Sequence, residues 1–171
     1  MLSTSSPQAF PYVLQPTRIH AGAIRLLPLD RATLATLAHP LHPDLQGVRR
    51  FVEALLALSP GAARRLGTVR PEVWAAVTDD GDDTPIIGLG WLAGDATEVI
   101  AAPGRTHDEA TRQLVDVLLA AARRRRLAAL TARLSGPIDR DTTLTGLDAR
   151  VVAERDGALF LHLDLTDRPG D

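Results

Sequence analysis

The apolar residues of this chain follow two patterns along the sequence. One is a set of short apolar or alternating runs bounded by Gly, Pro and Asp, which is typical of β-strands. These runs lie at residues 23–29, 72–78, 84–92, 96–102, 127–134, 151–155 and 158–165. The other pattern is apolar residues spaced three or four apart, which predicts amphipathic helices.

The longest stripe of helical spacing runs over residues 108–125, with Leu114, Val117 and Leu118 on one face and Asp108 as the expected N-cap. A second stripe covers residues 46–58. Shorter helices are expected at 31–38, after Asp30, and at 60–66, where Ser59 and Pro60 form a helix start. The segment 135–146 is expected to be a loop.

The resulting order is β, α, α, β, β, β, α, β, loop, β, β, which indicates one mixed sheet with helices on both faces. Asp156 and Gly157 predict a tight turn between the last two strands. Gly88 and Gly90 would weaken an ordinary strand, so they indicate a bulge or a close neighbour. We expect a flexible arm at 1–18, a single domain at 19–167 and a tail at 168–171.

Charge and composition exclude several functions. The net charge is −2 and all 19 basic residues are arginine, so there is no electrostatic case for nucleic-acid binding over the whole surface. The run 123–126 (RRRR) is expected to be a solvated helix end that complements the helix dipole, although it leaves open an anion contact. Nucleic acid is therefore not expected as a partner.

The sequence predicts neither a metal site nor a membrane segment. The chain has no cysteine, which excludes disulfides and thiolate metal sites. His39 and His42 are too few to form a metal site, and His162 is expected to be structural. We find no signal peptide and no apolar stretch long enough to span a bilayer, so a cytoplasmic protein is expected, with no membrane partner.

Three segments resemble the GNAT superfamily of acyl-CoA-dependent N-acetyltransferases. GVRRFVEALLALSPGAARRL (47–66) is similar to the helical region before the first hairpin of bacterial protein-lysine acetyltransferase-type domains. The stretch 101–134 is similar to the family's central strand, loop and helix, with Pro103 on the family's proline. The stretch 146–165 resembles its closing hairpin. The resemblance implies an α+β, three-layer αβα fold with a mixed, mostly antiparallel sheet, and acetyl-CoA as cosubstrate.

The resemblance also implies a set of site residues. Backbone groups of Ile100 and Ala101 would hold the pantetheine, and the loop and helix start would hold the pyrophosphate on backbone N–H groups. In this sequence that segment is Arg105, Thr106, His107, Asp108, Glu109, Ala110 and Thr111. Glu109 and Thr111 replace the family's glycines. The carboxylates of Asp108 and Glu109 therefore stand where phosphates would lie.

Glu98 is the acid within the fourth strand, where family members carry the base that deprotonates the amine. The family's general-acid tyrosine has no counterpart, since the one tyrosine is Tyr12. Two functions therefore stay open. One is an N-acetyltransferase acting by direct attack of an amine, either a small molecule or a protein lysine. The other is a catalytically inactive GNAT-like module that serves as a binding or regulatory partner. A homodimer is compatible with either.

Overall fold

The computed structural model describes residues 24–30, 43–57, 71–78, 86–103, 107–136 and 138–166. The expected arm at 1–18, the tail at 168–171 and the short helices at 31–38 and 60–66 lie outside these residues. The described elements are, in chain order, β1 (Ile24–Leu29), a 3₁₀ helix (Pro43–Val48), α1 (Arg49–Leu56), β2 (Glu72–Thr78), β3 (Ile86–Ala93), β4 (Ala96–Ala101), α2 (His107–Arg124), β5 (Ala129–Ser135), α3 (Arg140–Leu144), β6 (Ala149–Arg155) and β7 (Ala158–Asp164). None of the helices in these ranges has the length and apolarity needed to cross a bilayer.

The strands form one sheet of seven in the order β1-β2-β3-β4-β5-β7-β6. Every neighbouring pair is antiparallel except β4 and β5, which run parallel from Ala96 opposite Thr131 to Ile100 opposite Ser135. A parallel pair needs a crossover connection, and α2 supplies it. The expected mixed, mostly antiparallel sheet is confirmed.

Helices cover both faces of this sheet. On one face α2 packs mainly against β3 and β4, and its Leu114 and Leu118 belong to a buried core that also includes residues of β5 and β7. On the other, α1 buries Val52 and Leu56 with Leu89 and Trp91 of β3. The strand residues alternate between these two cores because successive side chains point to opposite faces. The three-layer αβα arrangement expected from the sequence is therefore confirmed.

The glycines of β3 lie under α2. A methyl group added to Gly88 would come within 3.0 Å of Leu114 Cδ1, and one added to Gly90 within 2.8 Å of Leu118 Cδ1. The close neighbour expected at these positions is the helix itself. Glycine is used here because it lets α2 pack directly on the strand backbone.

Three local predictions need correction. Asp108 is not the N-cap of α2, because the helix already includes His107 and Asp108 lies in its first turn. The stripe at 46–58 begins as a 3₁₀ helix and becomes α-helical at Arg49. The expected loop at 135–146 contains α3, whose five residues are too few to show a helical period.

Candidate functional site

The ends of three secondary-structure elements lie close together: the carboxyl ends of strands β4 and β5 and the amino end of helix α2. His107, the first residue of α2, is 4% exposed. Its Nε2–H donates to the carbonyl oxygen of Ser135, the last residue of β5, over 3.2 Å. Ligands of open sheets commonly bind beyond the carboxyl ends of parallel strands, so this junction is the candidate site.

The amino end of α2 supplies backbone N–H groups and the positive end of a helix dipole. Two acids lie in its first turn, and both have side-chain partners there. Glu109 Oε1 accepts a hydrogen bond from Gln113 Nε2 at 2.7 Å, and Asp108 Oδ1 lies 3.3 Å from His107 Nδ1. These contacts do not use the N–H groups that an anion would need.

The predicted loop residues occupy different environments. Arg105 and Thr106 lie outside the described residues. Ala110 and Thr111 are fully buried residues of α2, as His107 nearly is, and the Oγ1 of Thr111 has no hydrogen-bond partner among the described residues. Asp108 and Glu109 alone of the described set present side chains to solvent.

Beside this junction the β4–β5 ladder ends. Its last pair is Ile100 opposite Ser135, and Ala102 N–H then donates to the Ile87 carbonyl of β3 at 2.8 Å. Gly136, which follows β5, has a φ of +107° and turns away to donate to the Gly157 carbonyl at 2.8 Å. The pairing of the two strands therefore ends at Ile100, the first of the two predicted pantetheine positions, and Ala101 lies beyond it.

Glu98 lies on the face of β4 opposite α2, in contact with Arg133 of β5. Its Oε1 accepts a hydrogen bond from Arg133 Nη1, which also donates to Ser135 Oγ at 3.0 Å. The Glu98 side chain is 26% exposed, so it is within reach of solvent. The predicted base is thus the carboxylate of an ion pair, held beside the end of β5.

Phe160 of β7 continues this face of the sheet. The guanidinium carbon of Arg133 lies 5.8 Å from its ring centroid and that of Arg155 lies 4.9 Å from it. Cation–π contacts of this kind hold a guanidinium in place without neutralising it. The described residues give Arg155 no carboxylate partner.

A cavity of about 390 Å³ opens next to the junction, between the end of β5 and the β6–β7 hairpin. It is lined by Gly136, Ile138, Arg140, Glu154, Arg155, Gly157, Ala158 and Leu159. Arg140 and Glu154 form an ion pair with each other. The cavity therefore has one further cation, Arg155, and adjoins the candidate site through Gly136.

The other sequence candidates contribute less to this site. His162 of β7 is half-buried opposite Thr131 and Arg150, and His39 and His42 lie outside the described residues. Within the described residues no group of three or more His, Asp or Glu side chains could hold a metal ion.

The arginine run at the end of α2 is partly neutralised. Arg124 Nη2 lies 3.0 Å and Arg125 Nη2 3.5 Å from the carboxylate of Glu72 on β2. Two of the four arginines are thus tied to the edge of the sheet. This arrangement agrees with the interpretation of the run as a helix end rather than an anion-binding patch.

The described elements follow the order and the mixed, mostly antiparallel pairing that the GNAT resemblance implied. The structure adds that β4 and β5 are the parallel pair and that α2 connects them. This architecture agrees with the α+β fold that the resemblance implied. Within this fold, the candidate site is the β4–α2–β5 junction and the cavity beside it.

Comparison with known proteins adds the following. No protein-family model matches the sequence, and no curated protein matches it by sequence. The candidate acetyltransferase YncA from Salmonella typhimurium, solved with its cofactor acetyl-CoA, is 16% identical with a TM-score of 0.46, covering 86% of this chain and 96% of that one. The N-acetyltransferase PseH from Campylobacter jejuni is 12% identical with a TM-score of 0.41, covering 84% and 99%. A tandem GNAT protein of clavulanic acid biosynthesis is 19% identical with a TM-score of 0.45, covering 75% of this chain and 44% of that one.

Sequence reasoning missed two features of this site. Arg133 alternates with apolar residues in β5, and that alternation places it on the face opposite α2, but does not show that Glu98 is its neighbour. The role of His107 as a buried link to Ser135 had no local signal, because the two residues are 28 positions apart.

Proposed function

We propose that this chain is an acyl-CoA-dependent N-acetyltransferase, with the cosubstrate bound at the amino end of α2. The observation that supports this most directly is the junction of α2 with the ends of β4 and β5. There, backbone N–H groups at the start of an 18-residue helix lie next to the point where the pairing of β4 with β5 ends.

The residues present are compatible with a pyrophosphate at this helix start. Phosphate binding would use backbone donors, which do not depend on side-chain type, and the Asp108 and Glu109 carboxylates have other partners. The Oγ1 of Thr111 is a buried hydroxyl with no partner among the described residues. Segment 105–111 would surround the pyrophosphate, and the backbone of Ile100 and Ala101 would run along the pantetheine.

When bound, acetyl-CoA supplies an activated acetyl thioester. In this proposal Glu98 takes the proton of the incoming amine, directly or through a water molecule, since its carboxylate is partly exposed beside the end of β5. Arg133 donates a hydrogen bond to that carboxylate and a second one to the Ser135 hydroxyl, which holds the guanidinium in place. The acceptor is an amine.

The test is calorimetric titration of the protein with acetyl-CoA and, as a control, with CoA. The double variant Asp108→Asn/Glu109→Gln removes two charges at the helix start with little change in volume. It should bind acetyl-CoA more tightly, by about threefold to thirtyfold, because each acid at this end opposes a phosphate by about 0.3–1 kcal/mol.

The matched control is Asp116→Asn, which removes one exposed acid of the same helix about two turns away. It should leave the affinity within about twofold, since helix-terminal electrostatic effects fade within a turn. Absence of binding to wild type and double variant at millimolar acetyl-CoA would contradict the proposal and favour the inactive GNAT-like module.

A further inference from the structure

The cavity beside the candidate site has a size and charge that restrict its ligand. Its volume of about 390 Å³ lies in the range of small-molecule pockets. It is closed on one side by the end of β5 and on the other by the β6–β7 hairpin, which Gly136 joins through its hydrogen bond to Gly157. A cavity of this form suits a small molecule better than a folded protein surface.

The charges on its wall leave one cation for a ligand. Arg140 and Glu154 form an ion pair, so their charges offset each other within the wall. Arg155 lies over the ring of Phe160, 4.9 Å from the centroid, and has no carboxylate partner among the described residues. A cation–π contact holds the guanidinium in place, and its N–H groups can still donate to an anion. The two oxygens of a planar carboxylate can accept two parallel hydrogen bonds from it.

The position of the cavity connects it with the transfer site. Gly136 forms part of its wall and directly follows Ser135, whose carbonyl accepts the His107 hydrogen bond and whose hydroxyl contacts Arg133. Arg155 and Arg133 contact the same ring, Phe160, and Arg133 donates to Glu98. A carboxylate bound at Arg155 would therefore lie on the same face of the sheet as Glu98.

We propose that the cavity is the acceptor site, and that the acceptor is a small amine carrying a carboxylate, of the amino-acid type, with Arg155 binding the carboxylate. This inference rests on the proposed acetyltransferase function. In the reaction, the amine nitrogen forms a bond to the acetyl carbon of acetyl-CoA and the carbon–sulfur bond breaks. CoA leaves as the thiolate, and the amine proton passes to solvent through Glu98.

The first experiment compares acceptors that differ only in the carboxylate: L-leucine with 3-methylbutylamine, and L-phenylalanine with 2-phenylethylamine. Free CoA thiol is measured at saturating acetyl-CoA. The amino acid should have at least a tenfold higher kcat/KM than its decarboxylated partner, the size expected for one hydrogen-bonded ion pair of about 1.5–3 kcal/mol. Equal turnover of both members of each pair would overturn the inference.

Arg155→Gln should raise KM for the amino acid about tenfold to a hundredfold, with kcat nearly unchanged, and leave the decarboxylated amine unaffected. The matched control is Arg150→Gln. Arg150 is an exposed arginine of the same strand, opposite His162, and does not line the cavity. An equal effect of both substitutions would indicate general surface charge and contradict a role for Arg155 in binding.

A titration without acetyl-CoA makes the result independent of turnover. N-acetyl-L-leucine is the acid product, and N-(3-methylbutyl)acetamide is its neutral counterpart. By calorimetry the acid should bind wild type at least tenfold more tightly than it binds Arg155→Gln, and the neutral amide should bind both alike. If the acid shows no Arg155-dependent binding up to tens of millimolar, the inference is wrong even where acetyl-CoA binds. If the acid binds through Arg155 but acetyl-CoA does not, the cavity remains an anion site and the acetyltransferase proposal fails.

Discussion

At the scale of single residues, several positions have a left-handed backbone conformation, and residue type predicts only some of them. Asp156 and Gly157 both have positive φ, 52° and 70°, as a two-residue hairpin turn of this kind requires. The sequence predicted this turn, because Asp-Gly is a common choice for it. Arg126 also has a positive φ, 57°, and nothing in its residue type indicated that.

Arg126 follows the end of α2 in a Schellman arrangement. Its N–H donates to the Arg123 carbonyl at 2.9 Å, and Leu127 N–H donates to the Ala122 carbonyl at 3.1 Å. The left-handed conformation costs a non-glycine residue about 1–2 kcal/mol, and glycine would lose about 0.5–1 kcal/mol more backbone entropy on folding. Arg126→Gly should therefore stabilise the protein by about 0.5–1 kcal/mol in urea denaturation.

The control for that prediction is Arg123→Gly, an exposed position of α2 three residues earlier. Glycine there should destabilise the protein by about 1 kcal/mol, because the backbone is helical and glycine has a much lower helix propensity than arginine. The same substitution thus has opposite signs at two arginines of one run. Destabilisation at both positions would show that the Arg126 conformation is not strained.

At the scale of elements, one side chain of α2, Arg112, binds the end of α3. Arg112 Nη1 donates to the Thr143 carbonyl at 2.9 Å and to the Thr145 carbonyl at 2.5 Å, where the last turn of α3 would otherwise lack partners. A five-residue helix has little stability of its own. Contacts with the rest of the fold therefore support it, namely the Arg112 hydrogen bonds and the packing of Leu144 against the core. The local sequence contains neither and predicted only a loop.

Arg112→Ala should cost about 1–3 kcal/mol of unfolding free energy, since two carbonyls lose a charged donor. Amide hydrogen exchange should quicken at residues 140–146 more than in the sheet. The control is Arg49→Ala in α1, because Arg49 likewise has an acid four residues on, Glu53. It should change the stability by no more than about 0.5 kcal/mol, as expected of an exposed pair. Equal losses in the two variants would contradict the special role of Arg112.

At the scale of the whole molecule, the distance between α2 and the sheet is set by glycines in β3. Gly90 and Leu118 are both buried, and an added Cβ would lie 2.8 Å from Leu118 Cδ1. Gly90→Ala should destabilise by about 1–3 kcal/mol through overpacking. Gly47→Ala is the control, because no atom lies within 4 Å of its added Cβ, and it should be neutral within about 0.5 kcal/mol.

The double variant Gly90→Ala/Leu118→Val identifies the cause. Shortening Leu118 removes the atom that clashes, so the two substitutions together should cost less than the sum of the separate losses. Strictly additive losses, measured by urea denaturation of all three variants, would place the effect of Gly90 in the strand rather than in the packing between layers.

The sequence by itself determined the elements whose signal is local: the strands, the long helix α2, the Asp156-Gly157 turn and the two-faced apolar pattern that calls for helices on both sides of a sheet. Apolar residues repeat every two positions in a strand and every three to four in a helix. The pattern within one segment therefore shows its secondary structure and which of its faces is buried. The resemblance then supplied the arrangement of these elements, which the strand order confirms.

Only the tertiary structure decided which side chains meet. Glu98 and Arg133 are neighbours because β4 and β5, which α2 connects, pair in parallel. Arg133 and Arg155 both contact Phe160 because β7 lies between β5 and β6. Alternation along a strand fixes the face of a residue but not its neighbouring strand or its register. The link from His107 to Ser135 and the cavity beside it follow from that register, which no local pattern in the sequence contains.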